Sequence, residues 1–218
     1  MTLLFDYDGT LHNTGHLYGC AFRKAYAMLA AEGYAPPHDY RDEDVSKYLG
    51  VSAPEMWKDF MPQLSDEVWQ RASAVIGSEM IDGVLNGRAI LYDGIADTLT
   101  ALKNRGFRLL ILSNCRHAYM DAHRQALGLD RWFDGYFCAE DYGFIPKEEI
   151  FPFVKEAFPD SRYVMIGDRD SDFRVGQVNG LFTVGCAYGF GTEEERRVCD
   201  RVIAAPEELP AVLDSLPA

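Results

Sequence analysis

The second part of the chain, from Ile90 onward, alternates between apolar runs and amphipathic segments, and this alternation restricts the fold most. We predict helices at 95–105, 116–127, 147–158, 172–179 and 207–216, and strands at 108–112, 135–139, 163–166, 181–184 and 201–203. Strands that alternate with helices form a mostly parallel sheet with helices on both faces. The pattern therefore predicts an α/β fold.

The segment between Thr14 and Arg88 has a different pattern, because its apolar residues recur only at helical spacing. Helical stretches are predicted at 18–31, 45–49, 54–61 and 67–81, with a break at Pro36-Pro37. We therefore expect two domains. Residues 1–13 and 90–218 would form a Rossmann-like core with a parallel sheet and helices on both faces, and residues 14–89 an inserted all-helical cap domain.

An acidic motif, Asp6-Tyr7-Asp8-Gly9-Thr10, follows the apolar run Leu3-Leu4-Phe5, which reads as a buried strand. Residues i and i+2 of a strand point to the same side, so both carboxylates would face one way. Such a pair is costly unless a cation or a shared proton compensates. The arrangement suits covalent catalysis on a phosphate, with a divalent metal offsetting the charge. A solvated Asp-Gly turn is the alternative.

Three further polar groups follow predicted strands, where ligands bind in open parallel sheets. Ser113 and Asn114 precede a helix, so they could cap it, bind an anion, or do both. Lys147 opens a helix, where its charge is unfavourable unless an anion is present; a free surface lysine is the alternative. The acids between Asp168 and Asp172 are hard ligands for a metal ion, or an ordinary acidic first turn of a helix.

Charge and cysteine content restrict the partners. The formal net charge is −13, and no basic stripe occurs, so we expect neither nucleic acid nor an anionic membrane as a partner. Asp6 lies too close to the start for a signal peptide, and no apolar run is long enough to span a bilayer. Five cysteines without paired spacing argue against a disulfide framework. These features predict a cytoplasmic protein, monomeric or homodimeric.

Taken in order, the four groups resemble the haloacid dehalogenase superfamily, and in particular its phosphoglycolate phosphatase-like branch. Its first motif, Asp-x-Asp-x-Thr/Val, corresponds to Asp6 to Thr10, and its Ser or Thr after the next core strand to Ser113. Its helix-opening lysine corresponds to Lys147, and its Gly-Asp-x-x-x-Asp motif to Gly167 to Asp172. The helical insertion after the first motif resembles the cap of that branch.

The resemblance implies a role for each matching residue. Asp6 would be the nucleophile that forms an aspartyl-phosphate, and Asp8 the general acid and then the base. Ser113 and Lys147 would bind the phosphoryl group, with Asn114 beside them. Mg²⁺ would be held by the Asp6 carboxylate, the Asp8 backbone carbonyl and the Asp168 carboxylate. Asp172 would orient Lys147 or a water on the metal.

Other residues give weaker signals. In the helical insertion, Lys47, Gly50, Trp57 and Lys58 are candidate substrate contacts, although surface or core roles suit each of them as well. His12 lies close enough to the acidic motif to contact a substrate, whereas His123 is expected at the surface. Cys115 is expected to be a buried, inert thiol.

The leading interpretation is a Mg²⁺-dependent phosphatase acting on a small phosphorylated metabolite. A sugar phosphomutase of the β-phosphoglucomutase type would share the fold, the cap and the motifs, although Thr10 in place of Val favours hydrolysis. A non-catalytic protein on the same fold is the third possibility, because a fold does not determine a function.

Overall fold

The computed structural model describes residues 1–216, and its centre is a parallel sheet of six strands in the order β3-β2-β1-β4-β5-β6. The strands are β1 (Thr2–Phe5), β2 (Arg108–Ser113), β3 (Gly135–Cys138), β4 (Tyr163–Gly167), β5 (Phe182–Cys186) and β6 (Arg201–Ile203). The predicted α/β fold with a parallel sheet is confirmed.

The first strand, β1, occupies the middle of the sheet and pairs with β2 on one side and β4 on the other. Leu4, for example, lies opposite Leu110 of β2 and Met165 of β4, and all three side chains are fully buried. A strand covered on both faces needs an unbroken apolar run, which explains why these strands do not alternate between apolar and polar residues. The chain leaves β1 toward β2 and β3 and returns to β4, so a topological switch point lies beside β1.

Helices cover both faces of the sheet, which divides the core into two clusters of buried side chains. Two of these helices end where Gly128 and Gly180 adopt left-handed conformations, with φ of 61° and 70°. The helices are α5 (Ile95–Asn104), α6 (His117–Leu127), α7 (Lys147–Ala157), α8 (Asp170–Asn179), α9 (Glu193–Arg196) and α10 (Leu209–Asp214). Short 3₁₀ turns occur at Leu129–Arg131, Ala139–Tyr142 and Pro206–Glu208.

Residues 15–88 contain helices and turns and, within the described part of the chain, no strand. We call them the helical segment. Its elements are α1 (Gly15–Ala31), α2 (Asp42–Val45), a 3₁₀ turn (Ser46–Tyr48), α3 (Ala53–Phe60), α4 (Asp66–Gly83) and a π turn (Val84–Arg88). Phe22 packs against Trp57 and Phe60, so the segment has aromatic packing of its own. The division into core and cap domains stays a prediction.

Several helix boundaries differ from the sequence prediction, such as that of α1, which begins at Gly15 rather than 18, and two of the differences have a local explanation. Helix α8 begins at Asp170 rather than 172, since the acids of this stretch suit the first turn of a helix. Helix α10 is shorter than predicted because a 3₁₀ turn precedes it and Pro210 lies in its first turn. Among the helices of residues 1–216, none has both the length and the apolar character needed to cross a membrane.

Candidate active site

The predicted site residues converge at the carboxyl edge of the sheet, beside the switch point. Asp6 follows β1, Ser113 ends β2 and Asp168 follows β4, and these three strands are neighbours. All three side chains are buried. Parallel strands end at the same edge, so three stretches far apart in sequence bring their polar residues together.

Lys147 is the cation at the centre of this cluster, and it is 2% exposed. Its Nζ donates to Asp6 Oδ1 at 2.5 Å and to Asp172 Oδ1 at 2.7 Å. Burial alone would lower the pKa of this ammonium, but the charges of Asp172 and Asp6 raise it above its ordinary value. Lys147 is therefore a fixed positive charge in a buried site, and the free surface lysine is excluded.

Asp172 joins helix α8 to this cluster through both of its oxygens. Oδ1 accepts from Lys147, and Oδ2 accepts from the backbone N–H groups of Asp168 and Arg169, at 3.1 and 3.0 Å. Those two N–H groups precede α8 and have no partner within the helix. Because both oxygens are engaged, Asp172 is placed to orient its neighbours rather than to meet a substrate.

Asp168 lies among backbone atoms that only glycine permits. Its Oδ2 accepts from the N–H groups of Phe190 and Gly191 at 2.7 and 3.1 Å. Gly9 has φ of +91°, and a Cβ at this position would lie 2.6 Å from Asp168 Oδ2. A side chain there would be strained and would displace the carboxylate, so the glycine of the first motif supports the aspartate of the last.

The carboxylates of Asp6, Asp168 and Asp172 offer ligand atoms within 4.8 Å of one another. Burial raises the pKa of Asp6 well above its ordinary value, and Asp172 and Asp168 raise it further against the effect of Lys147. Burial and the charge of Asp172 likewise raise the pKa of Asp168 to about 7. A single lysine does not balance three buried acids. Because both oxygens of Asp172 are engaged, Asp6 and Asp168 are the carboxylates of this cluster that can offer oxygen to a hard divalent cation.

Asp8 lies beside this cluster with one oxygen surrounded by donors. Its Oδ1 accepts from the hydroxyls of Thr14 at 2.5 Å and Tyr119 at 2.9 Å, and lies 3.2 Å from His12 Nδ1. Burial would raise the pKa of Asp8, but the His12 and Thr14 hydrogen bonds lower it below its ordinary value. Asp8 is therefore held as an anion in this arrangement.

Two buried histidines stand behind Asp8, and both are fully buried. The rings of His12 and His123 are 4.5 Å apart, and His123 Nδ1 lies 2.6 Å from the Tyr7 hydroxyl. Burial and His12 lower the pKa of His123 to about 3, so this ring is neutral. The expectation of a surface position for His123 is wrong, and His12 contacts Asp8 rather than the cavity.

The buried position of His123 could have been predicted from its spacing of four residues from Tyr119. Residues i and i+4 of a helix lie on the same face, and the residues between them include buried Met120 and Ala122. The roles of Thr14 and Tyr119 were missed because their partner, Asp8, is 6 and 111 residues away.

A cavity of about 150 Å³ opens above these groups, between the sheet edge and the helical segment. Asp6, Asp8, Ser113 and Asn114 line it from the core side. Asn114 Nδ2 also donates to the carbonyl of Gly50 at 3.2 Å, and Arg169 Nη1 donates to that of Leu49 at 2.7 Å. These bonds hold the turn around residue 50 over the site, a role of Arg169 that its position in an acidic motif did not indicate.

Of the four candidate contacts in the helical segment, only Gly50 lines the cavity. Lys47 is exposed and pairs with Asp59 at 3.3 Å, and Lys58 is exposed. Trp57 is 1% exposed and donates to Ser73 Oγ at 2.6 Å, so it belongs to the packing of the segment.

Cys115 also lines the cavity, with its sulfur 3.8 Å from that of Cys138. The contact with Cys138 and burial raise the pKa of the Cys115 thiol well above its ordinary value. Cys115 is half-buried rather than buried as expected, and its inertness stays a prediction, since a protonated thiol is a poor nucleophile.

Comparison with known proteins identifies the same family as the sequence motifs. A family model described as haloacid dehalogenase-like hydrolase matches residues 1–180. The chain is 27% identical to pyrophosphatase PpaX of Bacillus pumilus, over 88% of this chain and 86% of that protein. It is 24% identical to phosphoglycolate phosphatase of Aquifex aeolicus, over 98% and 96%.

Among solved structures, a protein from Clostridium acetobutylicum described as a predicted phosphatase superposes with a TM-score of 0.86. It is 21% identical, over 99% of this chain and 98% of that one, so it supports the fold. The resemblance drawn from the four motifs is confirmed, as is the expectation of an enzyme of this class. The chain belongs to the haloacid dehalogenase-like hydrolases.

Proposed function

We propose that this protein is a Mg²⁺-dependent phosphatase that hydrolyses a small phosphorylated metabolite through an aspartyl-phosphate on Asp6. The observation that carries the proposal is the state of the Asp6 carboxylate. Oδ1 is held by Lys147, whereas Oδ2 has no hydrogen-bond partner within residues 1–216, and the residue lines the cavity. One oxygen is therefore fixed while the other can attack a phosphorus atom.

The other residues divide the remaining work. Ser113, Asn114 and Lys147 bind and orient the transferring phosphoryl group, and Lys147 also offsets the charge of Asp6. Asp6, Asp8 and Asp168 would hold Mg²⁺, which would neutralise phosphoryl charge when bound. Asp172 keeps Lys147 in place.

Asp8 would act first as an acid and then as a base. It is anionic in the observed arrangement, which suits the activation of water in the second step. To act as an acid it must first take up a proton. An anionic phosphate beside Asp6 would favour that uptake, because a like charge raises the pKa of a carboxyl.

The test measures phosphate release from a panel of phosphate monoesters, with Mg²⁺ and with excess chelator. We expect chelation to abolish turnover and added Mg²⁺ to restore it. Asp6→Asn should lower the rate by several orders of magnitude while the protein still folds. Asp170→Asn is the matched control, because Asp170 is an exposed acid outside the cluster. A variant at Asp6 that keeps a tenth of the wild-type rate would contradict the covalent role.

The phosphomutase alternative is decided by a separate measurement. The enzyme is incubated with β-glucose 1-phosphate, a trace of the bisphosphate and Mg²⁺. Hydrolysis predicts free phosphate without isomerisation, because Asp8 activates water as soon as the intermediate forms. Efficient conversion to glucose 6-phosphate with little free phosphate would replace the phosphatase proposal.

A further inference from the structure

The part of the cavity that would hold the substrate's organic group is lined by apolar side chains of the helical segment. Leu49 and Val51 face it from the loop that follows the 3₁₀ turn, and Met56, Ile76 and Met80 face it from helices α3 and α4. The core supplies the polar floor, and the helical segment supplies a mostly apolar wall, which Tyr18, Tyr48 and Ser73 also line. A group bound against that wall gains affinity in proportion to the apolar area it buries.

Within the described part of the chain, one lysine or arginine lines the cavity, Arg116. Its Nη1 donates to Glu140 Oε1 at 2.7 Å, and its guanidinium lies over the Phe144 ring, 5.4 Å from the centroid. This cation is therefore already paired. A second anionic group on a substrate, such as a carboxylate or another phosphate, would have to compete with Glu140 for this guanidinium or lose its hydration against apolar side chains.

The volume limits the size of the organic group. A cavity of about 150 Å³ holds a molecule the size of benzene, and here it must also hold the phosphoryl group beside Asp6, so this size is an upper limit for the organic group. A phenyl ring or an alkyl chain of about six carbons is that large, and a nucleoside is larger.

One position on α4 opens directly into this space. Gly77 lines the cavity, and a Cβ added there would meet no heavy atom within 4 Å. A side chain at this position would therefore enter the cavity without disturbing its neighbours. Gly77 keeps open the space that the organic group would fill.

Building on the proposed function, we infer that the substrate is a phosphate monoester of an apolar alcohol or phenol of up to about six carbons, selected by the apolar wall and by the space at Gly77. Esters that carry a second anionic group, such as 2-phosphoglycolate and bisphosphates, are poor substrates.

A binding experiment tests the inference without relying on turnover. Affinities of n-alkyl phosphonates from methyl to heptyl are measured by calorimetry with Mg²⁺. We expect the dissociation constant to fall about fourfold per added CH₂, up to about six carbons, and then to level off. Phosphonoacetate, in which a carboxylate replaces the apolar tail, should bind no more tightly than methylphosphonate. A flat series, or phosphonoacetate binding more tightly than butylphosphonate, would overturn the inference.

Two variants of Gly77 test the position itself. Gly77→Leu should shorten the preferred chain by several carbons. Gly77→Arg should lower kcat/KM for butyl phosphate and raise it for 2-phosphoglycolate, and a folding defect does not produce such a gain. Ala74→Arg is the matched control, because it places the same charge on an exposed position of α4 and should leave the ratio of the two substrates unchanged.

The outcomes separate this inference from the proposed function. Chain-length-dependent binding without hydrolysis of any ester would contradict the phosphatase and retain the apolar site. Hydrolysis of many esters without dependence on chain length would support the phosphatase and contradict the apolar site. No change in the substrate ratio with Gly77→Arg would overturn the assignment of Gly77.

Discussion

Removing the charge of Asp168 should stabilise the metal-free protein while it abolishes catalysis. The pKa of this carboxyl is raised from 3.8 to about 7, which corresponds to about 4 kcal/mol at a pH above 7. In Asp168→Asn the amide oxygen still accepts from Phe190 and Gly191, but two charge-assisted hydrogen bonds become neutral, at a cost of roughly 2 kcal/mol. The expected net gain of about 2 kcal/mol raises the melting temperature by roughly 4–8 °C in a chain of this length.

The gain should depend on pH in a defined direction. A carboxyl whose folded-state pKa is raised destabilises the fold only where it is ionised, so the penalty is absent below pH about 4 and complete above about 7. Melting temperatures of the wild type and Asp168→Asn are compared in chelator at pH 5 and pH 8. The advantage of the variant should be larger at pH 8.

Asp170→Asn is the control for this comparison, since Asp170 is exposed in the first turn of α8. Its loss should destabilise the protein by about 0.3–1 kcal/mol, because an acid there interacts favourably with the helix dipole. If Asp168→Asn melts below the wild type in chelator at pH 8, as the control should, burial and the charge of Asp172 do not make ionised Asp168 destabilising.

Two further predictions concern Lys147, through the stability of the protein, and Thr14, through the pH dependence of its activity. Lys147→Met leaves Asp6 and Asp172 without their cation, and its free energy of unfolding in denaturant should fall by about 3–5 kcal/mol. Lys155→Met, at an exposed position of the same helix, is the control and should lose under about 0.5 kcal/mol. Equal losses would contradict the role of the buried pairs. Thr14→Val removes a donor to Asp8, so the pKa of Asp8 should rise. Because Asp8 acts as an acid in the first step, the alkaline limb of the kcat/KM profile should move to higher pH, and an unchanged profile would show that this bond does not tune the carboxyl.

The sequence predicted the sheet edge well because the physics there is local. An apolar run followed by a polar residue marks the end of a buried strand, and parallel strands end together. Lys147 could be placed in the site because a cation that opens a helix is unfavourable without an anion nearby. Both arguments use only neighbouring residues in the sequence and no knowledge of distant contacts. They could therefore place all four polar stretches at the same edge of the sheet.

The surroundings of Asp8 and the cavity wall could not be predicted in that way. Tyr119 and His123 reach their partners across more than a hundred residues, and a polar side chain on a buried helix face carries no sign of which group it meets. Lys47 and Lys58 were candidate substrate contacts, yet neither lines the cavity, whose wall is mostly apolar. Which face of each helix turns toward the site depends on how the segment packs.

The polar floor and the apolar wall of the cavity come from different parts of the chain, and this affects how mutations can alter the substrate. Lys147 and Asp172 are bound to each other, to Asp6 after β1 and to the backbone that joins β4 to α8, so altering either of them loosens the scaffold. The wall is made of interchangeable aliphatic side chains within residues 49–80, and one glycine there leaves room for a new side chain. Mutations within a single contiguous stretch of the gene can therefore change the substrate. Mutations of Lys147 or Asp172 are disfavoured, because they lower the stability of the protein.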